Sequence, residues 1–422
     1  MTATTFQNTL AFAQEMDAQD PLRSYRKQFY HPLQKNGEPY LYFTGNSLGL
    51  QPKGVEENVL EEIREWQKLG VEGHFHGKHP WMPYHEFLTE SLAKVVGAKP
   101  LEVVAMGSLT SNLHLLLVSF YRPKDNRYKI VIEGDAFPSD IYAVESQAKF
   151  HGYDPEDAVI KLRPRTGEHT IRTEDILSLI EEQGSSIATI MLGGLNYYTG
   201  QAFEMAKIVE AGHQQGCVVG FDLAHGAGNL HLKLHDWNVD FAVWCNYKYL
   251  NAGPGSVAGL FVHERHANNP DLPRFAGWWG HDKETRFKMG PDFQPISGAE
   301  GWQLSNAPIL SMAALRASLA LFDEVGMEAL NTKSRMLTGY MEFLLQDVFD
   351  KVPIEVITPS DPDQRGCQLS LLTLKNGKQL FDKLTEKGVI TDWREPNVIR
   401  MAPVPMYNSF EDVWRFVEIL AG

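Results

Sequence analysis

The chain has 422 residues, of which 53 are acidic and 39 are basic, giving a formal net charge of −14 at pH 7. Hydrophobic residues make up 43% and charged residues 22%, a composition typical of folded globular proteins and unlike that of long disordered tails. The acidic balance and the lack of any Lys/Arg block argue against nucleic acid and anionic membranes as partners.

Targeting and redox signals are weak along the chain. Residues 1–20 have no cationic flank before an apolar stretch, and no segment approaches the roughly 18 apolar residues of a membrane span. Cys217, Cys245 and Cys367 stand singly inside apolar runs without CxxC spacing, which indicates reduced core thiols rather than disulfides or a zinc site. We therefore expect a cytoplasmic protein.

The first two thirds of the chain have the pattern of an α/β protein. Residues 1–75 predict an N-terminal helical lead-in. From about residue 100 to 265, short β-branched runs alternate with longer helical patterns, as in βαβ units; the strand candidates are "KIVIEG", "IATIMLGG", "CVVGFDLA", "FAVWCNY" and "VAGLFVHE". Between the second and third, "AFEMAKIVEAGHQQG" predicts a crossover helix that ends at Gly216. We assign residues 76–305 to a large domain with a mostly parallel, doubly wound sheet.

The last third of the chain has a different sequence pattern. A nearly unbroken helical pattern runs through "ILSMAALRASLALFDEVGMEALNTKSRMLTGYMEFLLQDVF". Strand patterns return in "GCQLSLLTL" and "VITDWREPNVIRMAPV". Residues 306–422 therefore predict a second, smaller α/β domain.

Ligands of doubly wound sheets bind at the carboxyl ends of the strands, and Asp222 is predicted to lie at one such end. It follows four apolar residues in "VVGFD", so its carboxylate should be buried and should need a cation or a donor. A protonated pyridine nitrogen is such a partner. The alternative is a buried Asp that only caps a turn, and a nearby histidine, His225, could be an ordinary core residue.

Lys248 stands in "WCNYKYLNAGPG", at the end of another predicted strand. An apolar, aromatic setting disfavours the charged ammonium and favours an amine that can form a Schiff base. The glycines that follow it permit close approach of the backbone to a ligand. The alternative is a lysine whose ammonium simply reaches solvent.

A polar loop, "GSLTSN", precedes the helical pattern "LHLLLVSF". The free N–H groups and the dipole of a helix N-terminus can bind a phosphate, with Leu109 and Thr110 as donors. Plain helix capping by Ser or Thr explains the same residues equally well. Neither GxxxxGK[ST] nor GxGxxG occurs, so ATP and NAD lack their usual motifs.

The order of these features resembles that of fold-type I pyridoxal phosphate (PLP) enzymes. Longer stretches, among them "FPSD", "FDLAHGAGN", "LHDWNVDFAVWCNYKYLNAGPG", "GWWGH" and "LSNAPIL", resemble the kynureninase family from about residue 40 to the C-terminus. The resemblance implies Lys248 as the lysine bound to the cofactor, Asp222 as the partner of the pyridine nitrogen, and His225 as its neighbour. Further cofactor-binding residues implied by the resemblance are Leu109, Thr110, Phe137, Pro138, Ser139, Asp140, Gly193, Tyr247, Trp278 and Asn306. Many relatives have Ser where this chain has Gly193, so one polar contact differs there.

The resemblance also implies the reaction: hydrolysis of L-kynurenine or its 3-hydroxy form to an anthranilate and L-alanine, in tryptophan catabolism and NAD biosynthesis. Lys248 would move the α-proton, and Tyr247 is the candidate acid or base for the later step, with structural phosphate binding as its alternative. Arg400 would bind the substrate carboxylate bidentately, or else form a salt bridge between domains. His74, Ser305 and Asn306 are expected to bind the substrate ring.

Three further expectations complete the sequence analysis. The spacing H-x-H-x-x-H of His74, His76 and His79 suggests a metal, but without a fourth ligand we predict none. Fold-type I sites are commonly built at a dimer interface, so we expect a homodimer. The alternatives to a kynureninase are a desulfurase-like or aminotransferase-like PLP enzyme, or a PLP-binding regulator without catalysis.

Overall fold

The computed structural model describes residues 5–422, and its strands and helices are named here in chain order. The strands are β1 Leu41–Tyr42, β2 Val103–Met106, β3 Lys129–Glu133, β4 Val159–Leu162, β5 Ile187–Gly193, β6 Val218–Asp222, β7 Phe241–Trp244, β8 Ala258–Val262, β9 Ile354–Val356, β10 Leu369–Thr373, β11 Val389–Ile390, β12 Asp392–Arg394 and β13 Val398–Met401. The helices are α1 Leu10–Gln19, α2 Gly54–Leu69, α3 Glu86–Val96, α4 Leu109–Phe120, α5 Pro138–Phe150, α6 Pro155–Ala158, α7 Thr173–Gln183, α8 Met205–Gln214, α9 Ile309–Val325, α10 Met327–Leu345, α11 Gly377–Glu386 and α12 Phe410–Ala421. Within residues 5–422, no helix combines the length and the apolar character needed to cross a bilayer.

A seven-stranded sheet forms the larger part of the fold, in the order β2-β8-β7-β6-β5-β3-β4. β8 runs antiparallel to both of its neighbours, β2 and β7, and the remaining pairs are parallel. Because β2 and β7 both oppose β8, they run in the same direction, and six of the seven strands have their carboxyl ends at one edge. The predicted mostly parallel α/β sheet is confirmed.

Helices cover both faces of this sheet. Neighbouring side chains of β3 alternate between the faces, because side chains in a strand point to opposite sides in turn. Ile130 and Ile132 pack in one core with α4 and α5, whereas Val131 packs in another with α3, α7, α8 and α9. The sheet is therefore buried on both faces, as the near-continuous apolar runs of its strands require.

All five strand candidates of the central region are strands, and the predicted crossover helix is α8. The long helical pattern of the last third is two helices, because the chain turns at Gly326 with φ +76°, a conformation that glycine adopts easily. The five strand candidates do not include β2 and β4.

The C-terminal residues form a four-stranded antiparallel sheet in the order β12-β13-β10-β9. Its core includes residues of α10 and α12 together with Ala13 and Met16 of α1. Asp17 of α1 accepts hydrogen bonds from the Phe410 and Glu411 amides at the start of α12, at 2.7 and 3.0 Å. Part of the N-terminal lead-in thus packs against the C-terminal sheet and helices, and the domain boundaries at residues 75 and 305 stay a prediction.

The buried carboxylate of Asp240 connects the amino ends of β6 and β7 to the loop after β8. It accepts hydrogen bonds from the Val219 amide at 2.7 Å and from His213 and His266 at 2.8 Å, and it pairs with Arg265. Burial alone would raise the pKa of Asp240, but the two histidines and the guanidinium hold it well below its usual range.

Replacing Asp240 with Asn should lower the free energy of unfolding by about 3 kcal/mol, because Arg265 is left without its buried partner. The control is Asp236→Asn, an exposed change on the same loop, which should stay within about 0.5 kcal/mol. The folded-state pKa is depressed, so the difference should be full above pH ~4 and should shrink at lower pH. Urea unfolding at pH 7 and pH 3 measures the free energy of unfolding of each variant relative to the wild type. An equal loss of stability in Asp240→Asn at the two pH values would contradict the ion-pair account.

Candidate active site

A cavity of about 100 Å³, open to solvent, lies at the edge where the strands have their carboxyl ends. It is the position in which open α/β sheets bind their ligands. Its lining includes the following residues expected from the sequence to bind a cofactor: Leu109, Thr110, Phe137, Ser139, Asp140, Gly193, Asp222, His225, Tyr247 and Lys248. Residues from five separate parts of the chain therefore meet at one place.

The N-termini of α4 and α5 meet at one wall of this cavity. The Thr110 and Ser139 hydroxyls lie 2.7 Å apart and join the first turns of the two helices. Ser108, the residue before α4, instead bonds with Ser111 through both its amide and its hydroxyl, at 2.9 Å. The capping alternative therefore applies to Ser108 and Ser111, whereas Thr110 and Ser139 line the cavity, where two helix dipoles favour an anion.

Lys248 lies four residues after the end of β7 and is half-buried. Its Nζ is 3.1 Å from Nε2 of the buried His225. Burial lowers the pKa of His225 well below its usual value, and the positive charge of Lys248 lowers it further. The imidazole is therefore neutral at physiological pH and can accept or donate one hydrogen bond with the amine.

Asp222 is the last residue of β6 and only 7% of its surface is exposed. Its Oδ1 accepts a hydrogen bond of 2.7 Å from the Ala224 amide. Burial raises the pKa of Asp222, an effect that this amide and the charge of Lys248 oppose. Asp140, on the first turn of α5, is also buried, and its pKa is raised well above the usual value by burial and by the neighbouring Asp222 carboxyl. The two acids form a pair in which the pKa of Asp140 is the more strongly raised.

The structure adds cavity residues that the sequence analysis missed. Glu133, Asn196 and Tyr197 line the same space. Glu133 is the last residue of β3, so its position at a strand end, like that of Asp222, was the signal that could have identified it. Tyr197 stands edge-on to Phe137, with the ring centroids 5.4 Å apart.

Arg400 lies on β13 and is fully buried. It pairs with Asp392 of the neighbouring strand, and its Nη1 donates to the Tyr197 carbonyl at 2.7 Å. Asp392 also contacts Arg394 at 3.1 Å, so two guanidinium groups share one carboxylate and a net positive charge remains. The ion pair lies within the C-terminal sheet, not between domains, and only the contact with Tyr197 reaches the cavity.

Several expected site residues do not line this cavity. They are His74, Pro138, Trp278, Ser305, Asn306 and Arg400. Pro138 starts α5, and Ser305 and Asn306 are exposed. The Trp278 side chain is 39% exposed and packs against Phe287 at 5.3 Å, which in turn lies 6.4 Å from Phe75, next to His74.

The three histidines of the H-x-H-x-x-H spacing contact different partners. Nδ1 of His74 is 3.0 Å from the Val71 carbonyl, His76 is 3.6 Å from Glu72, and His79 is 3.6 Å from Glu61. The structure therefore does not bring them to one common contact, and the expected lack of a metal stays a prediction.

Comparisons with known proteins agree on one family. Residues 330–420 match the model of the kynureninase C-terminal domain. Kynureninases from Koribacter versatilis and Myxococcus xanthus are 59% and 58% identical to the chain, each over 99% of this chain and 98% of the relative. The kynureninase of Nematostella vectensis is 48% identical over 97% of this chain and 92% of its own length.

Solved structures with a similar fold include the apo cysteine desulfurase of Thermococcus onnurineus NA1, with a TM-score of 0.77, 16% identity and coverage of 94% of this chain and 96% of that one. A C-DES mutant with glycine covalently linked to the PLP cofactor has a TM-score of 0.75 and 17% identity, covering 94% and 98%. At such identities the likeness bears on the fold only, and it agrees with the fold-type I expectation. The identity to the full-length relatives is decisive for the family: the chain belongs to the kynureninases.

Proposed function

We propose that this enzyme uses PLP to hydrolyse L-kynurenine, 3-hydroxy-L-kynurenine or both, giving anthranilate or 3-hydroxyanthranilate and L-alanine. Membership of the kynureninase family supports the reaction. The observation that carries it is the meeting of the Lys248 amine, the buried Asp222 carboxyl and two helix N-termini in one cavity. Hydrolysis of kynurenine belongs to tryptophan breakdown.

The residues present fit PLP, which has an anionic phosphate, a basic ring nitrogen and an aldehyde. Thr110 and Ser139 at the two helix N-termini suit the phosphate. Asp222 is a buried acid that lacks a cationic partner at hydrogen-bond distance among the described residues, which suits a protonated ring nitrogen. Nδ1 of His225 is buried and has no hydrogen-bond partner within residues 5–422, so it too has room for a ligand.

When bound, PLP supplies an electron sink for the bonds at the substrate α carbon. Lys248 Nζ is the group that removes and returns the proton at that carbon. The neutral His225, 3.1 Å away, holds this amine in place by a hydrogen bond. Asp222 keeps a negative charge opposite the ring nitrogen, while a proton on Asp140 prevents two adjacent carboxylates from repelling each other.

Two further groups act on the substrate. Burial raises the pKa of Tyr247. Its phenol would protonate the β carbon of the alanine product, which receives the electron pair of the broken Cβ–Cγ bond, while the aroyl part leaves as the carboxylic acid with the oxygen of water. Arg400 and Arg394 share Asp392 and keep a net positive charge beside Tyr197. We assign the substrate carboxylate to this positive charge, with Arg400 as its main partner.

The competing functions are less well supported. A desulfurase needs an exposed, nucleophilic cysteine, but Cys217, Cys245 and Cys367 are all buried and burial raises the pKa of each thiol. A regulator without catalysis would have no need for an amine hydrogen-bonded to a neutral imidazole beside Asp222. The buried free thiols also suit the reducing cytoplasm, where we place the enzyme.

The central test is alanine release from L-kynurenine by the wild-type enzyme with added PLP. Lys248→Ala should lower kcat by about 10³-fold or more, because the proton-transferring amine is lost. The control, Lys149→Ala, removes an exposed lysine at the far end of α5 and should leave kcat unchanged. Alanine released from L-cysteine but not from kynurenine would instead support the desulfurase alternative.

We also propose that the enzyme is a homodimer whose active site includes residues of both subunits. The site residues absent from the cavity, Trp278, Ser305 and Asn306, lie on exposed surface. Around Trp278 this surface carries Phe287, 53% exposed, and Phe75, 54% exposed. Such a group of exposed aromatic side chains is typical of an interface.

Subunit complementation tests this arrangement. Lys248→Ala and Trp278→Ala should each be poorly active alone, whereas co-expression should restore about 25% of wild-type activity, because half the dimers then contain one intact site. The matched control combines Lys248→Ala with Asp222→Ala, which alter the same cavity and should show no recovery. Recovery in neither pair would place Trp278 in its own subunit's site.

Ring recognition gives a prediction on specificity. If His74 and Asn306 bond the ring hydroxyl, His74→Ala and Asn306→Ala should raise KM for 3-hydroxykynurenine by about tenfold, the effect of one lost hydrogen bond, and hardly change it for kynurenine. Steady-state kinetics with both substrates measures the difference. Equal increases in KM for the two substrates would show that neither side chain binds the ring hydroxyl.

A further inference from the structure

Glu133 is a third buried acid beside the Asp140–Asp222 pair. It ends β3, and only 3% of its surface is exposed. Its Oε2 accepts a hydrogen bond of 2.9 Å from the Gly193 amide at the end of β5. Gly193 is paired in register with Asp222 of β6, so Glu133 and Asp222 lie on either side of this one residue.

Because Gly193 has no side chain, it leaves room for the Glu133 carboxyl. A Cβ atom added at Gly193 would lie 3.1 Å from Oε1 of Glu133, closer than ordinary van der Waals contact. The glycine at this position therefore fits the close packing of the Glu133 carboxyl against the backbone of β5.

Glu133 also separates the active-site cavity from a second cavity. This outer cavity has a volume of about 130 Å³, and Glu133 and Asn196 line both spaces. The other titratable groups that line the two cavities are Asp140, Tyr197, Asp222, His225, Tyr247 and Lys248 in the active site, and Asp135, Glu168, His169 and Tyr198 in the outer cavity. One carboxyl group thus faces solvent-connected space on one side and the acid pair on the other.

The charges in this region do not balance when all acids are ionised. Glu133, Asp140 and Asp222 are buried near a single amine, Lys248, and His225 is neutral. Burial raises the pKa of Glu133 to about 7, and the charge of Asp222 acts in the same direction. The charge of Glu133 in turn raises the pKa of Asp140, so the protonation of the three acids is linked.

We propose that Glu133 is a positioning residue that exchanges its proton with the outer cavity, and that its charge sets the protonation of the Asp140–Asp222 pair. The proton passes from the Glu133 carboxyl to water and leaves a carboxylate, without electron transfer. The inference rests on the proposed function, because the acid pair is assigned to the ring nitrogen of PLP. It deepens that function by identifying how the site adjusts its charge with pH.

The first test follows the carboxyl group itself. Infrared difference spectra between pH 6 and 8 should contain the C=O band of a protonated carboxyl that titrates near pH 7, the pKa of Glu133. Glu133→Gln should remove this band, while Glu133→Asp should keep one. The matched control is Glu145→Gln, on the same helix as Asp140 but outside both cavities and bonded to Lys161 at 2.9 Å; it should keep the band.

The second test follows the bound cofactor. The amide of Glu133→Gln keeps an oxygen for the Gly193 hydrogen bond but removes a negative charge, so protonated forms of bound PLP lose stabilisation. The pH midpoint of the PLP absorbance change should fall by about 0.5–1 unit, with a smaller change in Glu133→Asp and none in Glu145→Gln. A band that persists in Glu133→Gln, or an unmoved midpoint, overturns the proposal; failure of the wild type to bind PLP would instead overturn the proposed function.

Discussion

The burial of three acids beside one amine is the constraint on which the active site depends. Moving a carboxylate out of water costs several kcal/mol unless donors or cations replace the lost hydration. Backbone amides compensate in part: Ala224 donates to Asp222 and Gly193 donates to Glu133. The protein alone still has more acid than base in this place, so a ligand with a protonated ring nitrogen stabilises the site as it binds.

The sheet explains how acids from distant parts of the chain come together. β3, β5 and β6 are adjacent and parallel, so residues that end these strands must lie side by side. β8 is reversed, which lets β2 run in the same direction as the other strands and deliver the start of α4 to the same edge. The hydroxyls of Thr110 and Ser139 then meet because both of their helices start there.

The apolar runs of the sequence predicted the fold class, and polar residues at the ends of such runs can be identified without knowledge of strand order. Asp222 and Lys248 were found in this way. Most of the other cavity residues, such as Phe137 and Asp140, were identified by the family resemblance. Glu133 was missed because a glutamate at a strand end is usually solvent-exposed, and only the pairing of β3 with β5 buries it. The contact of Arg400 with Asp392 depends on the register of β13 and β12, which no local pattern encodes. Trp278 and Asn306 were identified by resemblance, and in the proposed dimer their place depends on a second subunit.

Acidic and basic side chains in and near the cavity come from different parts of the protein. The acids Asp140, Asp222 and Glu133 come from the large sheet and α5, whereas Arg394 and Arg400 come from the C-terminal sheet. The charges of Lys248 and of these two arginines add to the burial that lowers the pKa of His225. If Arg400 binds the substrate carboxylate as proposed, the substrate has one favourable orientation, with its carboxylate towards the C-terminal sheet and its amine towards Lys248. In that proposal the C-terminal sheet acts by orienting the substrate rather than by moving protons.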